Sequence, residues 1–492
     1  MSIRHDFPKA TVQRRTKATT KVAPTSFLIA FLIALTACQP VEAHLTATSP
    51  VTGTAATRTA TTPEATSTPD VASKIGVKED ALKGLQIQVW HPWFGVEANL
   101  FQSQVDDFNK TNSWGIQIQA ASQLNYNELL QNVGTSLLSS NNPQLAVGLP
   151  EYALYWNSPD GSVVDLTSYV NDPRYGLSDG VVKDIPSVFW KQDEAGSERL
   201  GIPAERSARF LVYNESWARE LGFHAAPVTA EEFRQQACAA HATMLKDKPK
   251  TNDAMGGWLV DTQTTTALSW MSAFGGGVSN GNGYRFLTPN NVDAFIFLKQ
   301  LYNDQCAWTI SDPTGTYDAF ATRKALFSTA SLEELTDQAR AFGAANNADE
   351  WTVLTYPGFD QSGLTIYGSS YIMLRSSPEK QLAAWLFMRW MLSPENQAKW
   401  VEALGLFPLR ASSLDMLKDY GNSHPQWKTA VGLLPNAQTQ PQAASWHKVQ
   451  IMLSDGFAYM FRTGLDNLPA FASNQPAAVL SQMDTLTREL TK

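Results

Sequence analysis

The residues best equipped for chemistry are aromatic and polar side chains set side by side in short stretches. Trp90 and Trp93 bracket His91, with Glu97 just beyond. Glu151 leads Tyr152, Tyr155 and Trp156, and Glu205 adjoins Arg206. Trp258 and Trp270 flank Asp261 and Gln263. A flat ring offers an apolar face, while carboxylates, amides and guanidinium groups fix polar rims. The combination suits a ligand with flat apolar faces and a fringe of polar groups. The chain holds 15 Trp and 14 Tyr, so only those beside Gly and polar neighbours are informative. On that ground Trp93 and Trp258 are expected to stack on ligand rings. Glu97, Glu151, Arg206 and Asp261 are expected to hydrogen-bond hydroxyls, with Tyr152 and Trp270 beside them. Trp385, Trp390 and Trp400 recur at helical spacing and read as core.

Other chemistries find less support. Gly277-Val278-Ser279-Asn280-Gly281 matches G-x-S-x-G, but that elbow needs a strand before it and a helix after it. Here Asn282-Gly283 continue a loop. The histidines never fall at paired metal-ligand spacing, and neither a Walker loop nor G-x-G-x-x-G occurs, so no metal and no cofactor is expected. A glycosidase would need two carboxylates, and Asp and Glu are plentiful enough that spacing alone does not decide.

The elements that must hold these residues alternate. "GLQIQVW" and "GIQIQAAS" alternate apolar and polar residues like strands, and "PQLAVGL" is a short apolar strand. Between them, 97–112 and 127–140 carry helical spacing. Strand, helix, strand, helix, strand implies a parallel sheet with helices on its faces. Arg209–Tyr213 reads as a further strand. Thr229 and Glu232 form a capping-box signature ahead of a helix over 228–245. Further helices are expected at 290–303, 318–326, 331–343 and 378–401. Residues 363–374 read as a loop flanked by strands, and the chain from about 411 as helical. About 400 residues from 84 to 492 are too many for one core and suit two lobes.

The N-terminus is a separate matter. Lys9, Arg14, Arg15, Lys17 and Lys21 precede the apolar run Phe27–Ala37, which is too short to span a bilayer. Basic lead, short apolar run and small residues describe a secretory signal over 1–37. Its end, Leu35-Thr36-Ala37-Cys38, resembles a bacterial lipobox, which makes Cys38 the lipidation site. Cleavage there removes six Lys/Arg and one Asp, taking the formal charge from −8 to −13. An acidic body argues against nucleic acid and against electrostatic attachment to anionic lipid. Residues 38–74 are rich in Thr, Ala and Pro and nearly free of bulky apolar residues, as a tether would be. A flexible chain of that length reaches roughly 30–40 Å. Cys238 and Cys306 end apparent helices, and outside the cytosol they are expected to pair.

Six stretches in one order carry a resemblance. They are Val89-Trp90-His91 with a helix ending Phe108-Asn109; Gly201-Ile202-Pro203 before Val212-Tyr213-Asn214; "GFHAAPVTAEEFRQQA"; "AFATRKALF"; "AAWLFMRWMLSPENQ"; and "GLFPLR". Together they resemble the extracellular solute-binding proteins of ABC importers, the large sugar-binding type. The resemblance implies an α/β fold of two lobes, the type II periplasmic-binding-protein architecture, with mostly parallel sheets, a hinge and a ligand between the lobes. It divides the chain into 84–205 (first lobe), 206–362 (second lobe with part of the crossover), 363–405 (return) and 406–492 (helices on the second lobe). It places Gly368 and Ser369 at the cleft. It implies a monomer that takes a sugar or oligosaccharide, anchored to the membrane by lipid alone and delivering to permease subunits served by a separate ATPase. Relatives that bind glycerol phosphate or its diesters carry a tyrosine where this chain has Phe407, and a late arginine where "QTQPQAASWHKVQ" has none, which disfavours that ligand unless Arg206 or Arg410 substitutes. A secreted glycoside hydrolase is the remaining alternative.

Overall fold

A computed structural model describes residues 72–139, 141–158, 161–281, 283–359, 361–462 and 473–491. The expected signal peptide, Cys38 and nearly all of the expected tether lie outside them. The chain begins with β1 (Gln86–His91), α1 (Gly95–Thr111), β2 (Gln117–Ser122), α2 (Tyr126–Leu137), β3 (Leu145–Gly148) and α3 (Pro150–Asn157). It crosses through β4 (Ile202–Pro203) and β5 (Ser207–Asn214). The second half adds α4 (Ala230–Met244), β6 (Gly256–Leu259), α5 (Thr264–Ala273), α6 (Pro289–Asn303), β7 (Ala307–Trp308), β8 (Ala325–Ser331) and β9 (Trp351–Leu354). It returns through β10 (Ile366–Tyr367) and β11 (Ser370–Met373), then forms α7 (Pro378–Met391), α8 (Pro394–Leu404), α9 (Trp446–Met460) and α10 (Pro476–Leu490).

These strands make two sheets, one per lobe. The first runs β2-β1-β3-β11-β4 and the second β7-β6-β8-β5-β9, with β10 also on β5. Each is parallel where its own βα units build it: β1 with β2 and β3, β6 with β7 and β8. Each then accepts antiparallel strands from the crossover, β11 on β3 and β5 on β8. In β1, Ile87, Val89 and His91 face in while Gln86 and Gln88 face water, the period of two that the sequence shows. Strands β3, β5 and β8 are buried throughout, because helices cover both faces.

One apolar cluster lies under the first sheet and continues past the crossover through Phe210, Val212 and Phe407. A second, on the other face of the second sheet, gathers Trp258, Trp270, Phe327 and Phe457. The capping box forms as expected: Thr229 Oγ accepts the Glu232 N–H, and Glu232 accepts the Thr229 N–H. Helix α4 is tied to the start of β7 by a disulfide between Cys238 and Cys306, whose Cα atoms lie 4.5 Å apart.

Two expected helices differ. The stretch 318–326 is helical only to Ala321. Arg323 turns through a left-handed φ of 57°, and Ala325–Ser331 becomes the buried strand β8 between β5 and β6. Seven small and apolar residues buried on both sides carry no period that tells helix from strand. The stretch 378–401 is two helices, because Ser393-Pro394 caps a new one: Ser393 Oγ accepts the Asn396 N–H at 3.3 Å. Helix α8 then ends at Gly405, whose φ of 75° suits the left-handed cap position.

The crossover is tightly built. Tyr367 pairs with Ser207 and Ser370 with Pro203. Gly368 lies between them at φ 138°, where any Cβ would collide with the Glu205 carbonyl. A later segment joins in: Gln438 N–H donates to the Leu364 carbonyl, and Gln438 C=O accepts the Ile366 N–H. Arg206, fully buried, fastens the crossing. Its Nη1 donates to the Glu205 and Ser369 carbonyls, and its Nη2 donates to Asp193 at 2.8 Å and to Ser370 Oγ at 3.0 Å. Burial pushes the Asp193 carboxyl up, and Arg206 with the Ser370 hydroxyl works against that. Removing one partner of such a pair strands the other charge. Arg206→Met is therefore expected to lower unfolding free energy by about 3–5 kcal/mol, read from urea titration.

Candidate ligand-binding cleft

The carboxyl ends of β3 and β8 face each other across the crossover, where open α/β sheets hold ligands. A cavity of about 600 Å³ lies there. The first lobe gives it Leu149, Pro150, Glu151 and Gln192. The crossover gives Arg209, Tyr367 and Gly368, and the second lobe gives Gln263, Thr264, Ser331, Glu333 and Glu334. Helix α9 closes one side with Gln450, Ile451, Ser454 and Asp455. A second cavity of about 850 Å³ shares Arg209, Gln263 and Glu334, and runs past Asp261 to Tyr302, Tyr317 and Phe461.

Amides, hydroxyls and carboxylates dominate this lining. Arg209 is its guanidinium, and its charge is committed: it meets Asp261 at 2.8 Å and Glu334 at 3.1 Å. Asp261 also accepts the Gln263 N–H at 2.7 Å and the Thr266 hydroxyl at 3.1 Å. Glu333 accepts the Ser207 and Tyr367 hydroxyls, both at 2.5 Å. Glu205 accepts the Tyr126 hydroxyl at 2.8 Å and the Ser369 hydroxyl at 3.0 Å.

Negative charge accumulates here. Burial, then the charges of Glu205 and Glu333, push the Glu97 carboxyl up to about 7. Burial pushes Glu151 up to about 7, partly offset by its own backbone N–H in the first turn of α3 and by the Gln450 amide. Burial also raises Glu205 against its two hydroxyl donors.

The expected site residues divide sharply. Glu151 and Gly368 line the first cavity and Asp261 the second. Glu97 stands half-buried within electrostatic reach of Glu205 and Glu333. Ser369 is fully buried and serves Glu205. The expected ring platforms are core instead. Trp258 and Trp270 are both 0 % exposed, packed on each other at 5.6 Å and on Phe233. Trp93 packs between Phe101 and Trp400, with ring centroids at 5.0 and 4.9 Å. Tyr152 packs edge-on to Trp156. These rings have no face left for a ligand. Arg206 is fully buried, with both Nη groups committed to Asp193, Ser370 and the crossover carbonyls, so it does not reach a ligand.

Rings that do reach the cavities are Tyr367 in the first and Tyr302, Tyr317 and Phe461 in the second. Sequence reasoning missed them, together with Arg209, Glu333, Glu334 and Gln450. Arg209 did leave a signal, since a charged residue in an otherwise apolar central strand needs a buried partner. Ser279 lies on an exposed two-residue hairpin strand paired with Gly283–Tyr284, not at a strand-to-helix elbow. Among the described residues no group of His, Cys, Asp and Glu is arranged to hold a metal, and no helix is long and apolar enough to cross a membrane.

Two sheet-and-helix lobes joined by crossover strands around a polar cavity define a two-lobed binding-protein architecture. Residues 103–435 match the family model described as bacterial extracellular solute-binding protein, and the chain belongs to that family. Solved structures share the fold. The sugar-binding protein MalE from Xanthomonas citri superimposes with TM-score 0.68 at 19% identity, covering 82% of this chain and 97% of that one. The cyclic alpha-maltosyl-1,6-maltose binding protein from Arthrobacter globiformis gives 0.65 at 17%, covering 82% and 99%. UgpB from Mycobacterium tuberculosis, solved with glycerophosphocholine, gives 0.64 at 16%, covering 82% and 98%. No curated protein matches the sequence. Family and neighbours are binding proteins, and the family is an exported one.

The raised carboxyl of Glu151 has a stability signature. Folded protein holds that proton up to about 7, whereas the unfolded chain loses it near 4.5. Between those values the folded state binds the extra proton, so this contribution is fullest at low pH and is lost as pH rises. Buried His91, held down to about 4, acts in the opposite direction over part of that window. Comparison with Glu151→Gln cancels it. The melting temperature of the variant minus that of the parent is expected to grow from pH 5 to pH 7.5.

Proposed function

We propose that the protein is the receptor of an ABC importer and captures a sugar or oligosaccharide between its lobes. The carrying observation is the inter-lobe cavity, lined by amides, hydroxyls and carboxylates, whose one guanidinium, Arg209, is already neutralised by Asp261 and Glu334. Hydroxyls can both donate to such carboxylates and accept from such amides. A phosphate ester wants a free guanidinium, and its negative charge would meet the carboxylates of this lining. That charge balance disfavours glycerol phosphates, although UgpB shares the fold.

Ligand touching both lobes gains most in a closed form, so its binding energy shifts the lobes toward closure. Glu97, Glu151, Asp261, Glu333 and Gln450 are the hydrogen-bonding set. Tyr367, with Tyr302 and Tyr317 in the adjoining cavity, supplies ring faces. The closed receptor delivers its ligand to permease subunits served by a separate ATPase. It works as a monomer and without turnover. A thermal-shift screen over mono-, di- and oligosaccharides, glycerol 3-phosphate and glycerophosphocholine tests this. Sugars are expected to raise the melting temperature in a saturable way with no product released. Stabilisation by the phosphates alone, or hydrolysis of a bound oligosaccharide, would overturn it.

The receptor reading also includes export, cleavage before Cys38 and lipid on that thiol, with 38–74 as the tether. Two membrane signals are ordinarily needed for stable anchoring, and a diacylglyceryl-modified N-terminus supplies more than one chain. Cys38→Ser is expected to move the protein from the membrane fraction to the soluble one; retention in the membrane fraction counts against the anchor.

A further inference from the structure

We propose that the ligand is an amine-bearing sugar whose ammonium group pairs with Glu151 in the inter-lobe cavity. This rests on the receptor reading above and narrows its substrate class.

Cavity charge is the starting point. Its lining carries four carboxylates, Glu151, Glu333, Glu334 and Asp455, against the single guanidinium of Arg209. Arg209 already serves Glu334 and an aspartate behind it. Glu333 is occupied by two hydroxyls. Glu151 differs from both. It is 6 % exposed, yet it lines the open cavity. The Gln450 amide, 3.2 Å away, is its one side-chain donor, and no cation pairs with it among the described residues.

A buried carboxylate without a cation is costly, and among the described residues only the Gln450 amide and its own backbone N–H offset that cost. Titratable neighbours do not offset it. Tyr152 and Tyr284 feel the Glu151 charge and are raised by it in part. His447, one turn before Gln450 on α9, is held below its ordinary value by burial. A neutral hydroxyl would give Glu151 only an ordinary hydrogen bond. An ammonium group would give a charge-assisted one and cancel the stranded charge at the same time.

Isothermal titration of the purified full chain with matched pairs tests the assignment. The pairs are glucosamine with glucose, galactosamine with galactose, and fully de-N-acetylated chitotriose with chitotriose. In at least one pair the amine is expected to bind about tenfold or more tighter, the range a desolvated charge pair commands. That ratio is expected to shrink to within about twofold in Glu151→Gln, whose fold is checked by its melting temperature, and to fall on raising salt. A neutral partner that binds as tightly as its amine overturns the charge assignment and leaves the sugar receptor standing. A preference that survives in Glu151→Gln overturns the role of Glu151. Failure of every sugar, charged or neutral, overturns the receptor reading together with this one.

Discussion

The fully buried ion pair of Arg206 and Asp193 holds the crossing of the two lobes, and the cleft depends on that crossing. One guanidinium reaches two main-chain carbonyls, a carboxylate and a serine hydroxyl drawn from three separate stretches of chain. A pair this deep is a poor source of net stability, because desolvating two charges cancels much of their attraction. Its value is geometric. Five planar donors in a fixed fork admit few alternative arrangements, so β4, β5 and β11 are held in one register. That register sets Gly368 against Glu205 and turns Tyr367 and Glu333 toward the cavity.

From that crossing the character of the cleft follows. Carboxylates converge there from α1, from α3, from the crossover and from the end of β8. Among the described residues one guanidinium lines the first cavity. The carboxylates are managed in three ways: Glu334 and Asp261 by Arg209, Glu333 and Glu205 by hydroxyls, Glu151 by the Gln450 amide and its own backbone N–H. The gradation runs from paired to nearly unanswered, and the unanswered end is where a ligand has most to contribute.

Much of the fold was legible locally. Gln86-Ile87-Gln88-Val89 declares a half-buried strand, Thr229 and Glu232 declare a helix start, and Ser393-Pro394 could have declared one more. Residues 325–331 were not legible, because a strand buried on both faces shows no alternation. The site was read less well for a similar reason. Indole burial is decided by distant partners: Trp258 sits among glycines in the sequence yet is enclosed by Phe233, Trp270 and Phe461. Carboxylates fared better, since Glu151 and Asp261 follow strand ends and strand ends face the cleft. Glu333 follows a strand end too, but it fell inside the helix expected over 331–343, so its position could not be recognised.

The Cys238–Cys306 bond does more than close a loop. It fastens α4 beside the outermost two-residue strand of the second sheet, Ala307–Trp308. An outermost strand is where a sheet can recruit a foreign chain, and a short, pinned one offers little to recruit with. Synthesis in a reducing compartment would leave that margin free to fray, so the oxidising surroundings that await an exported chain also guard it against self-association.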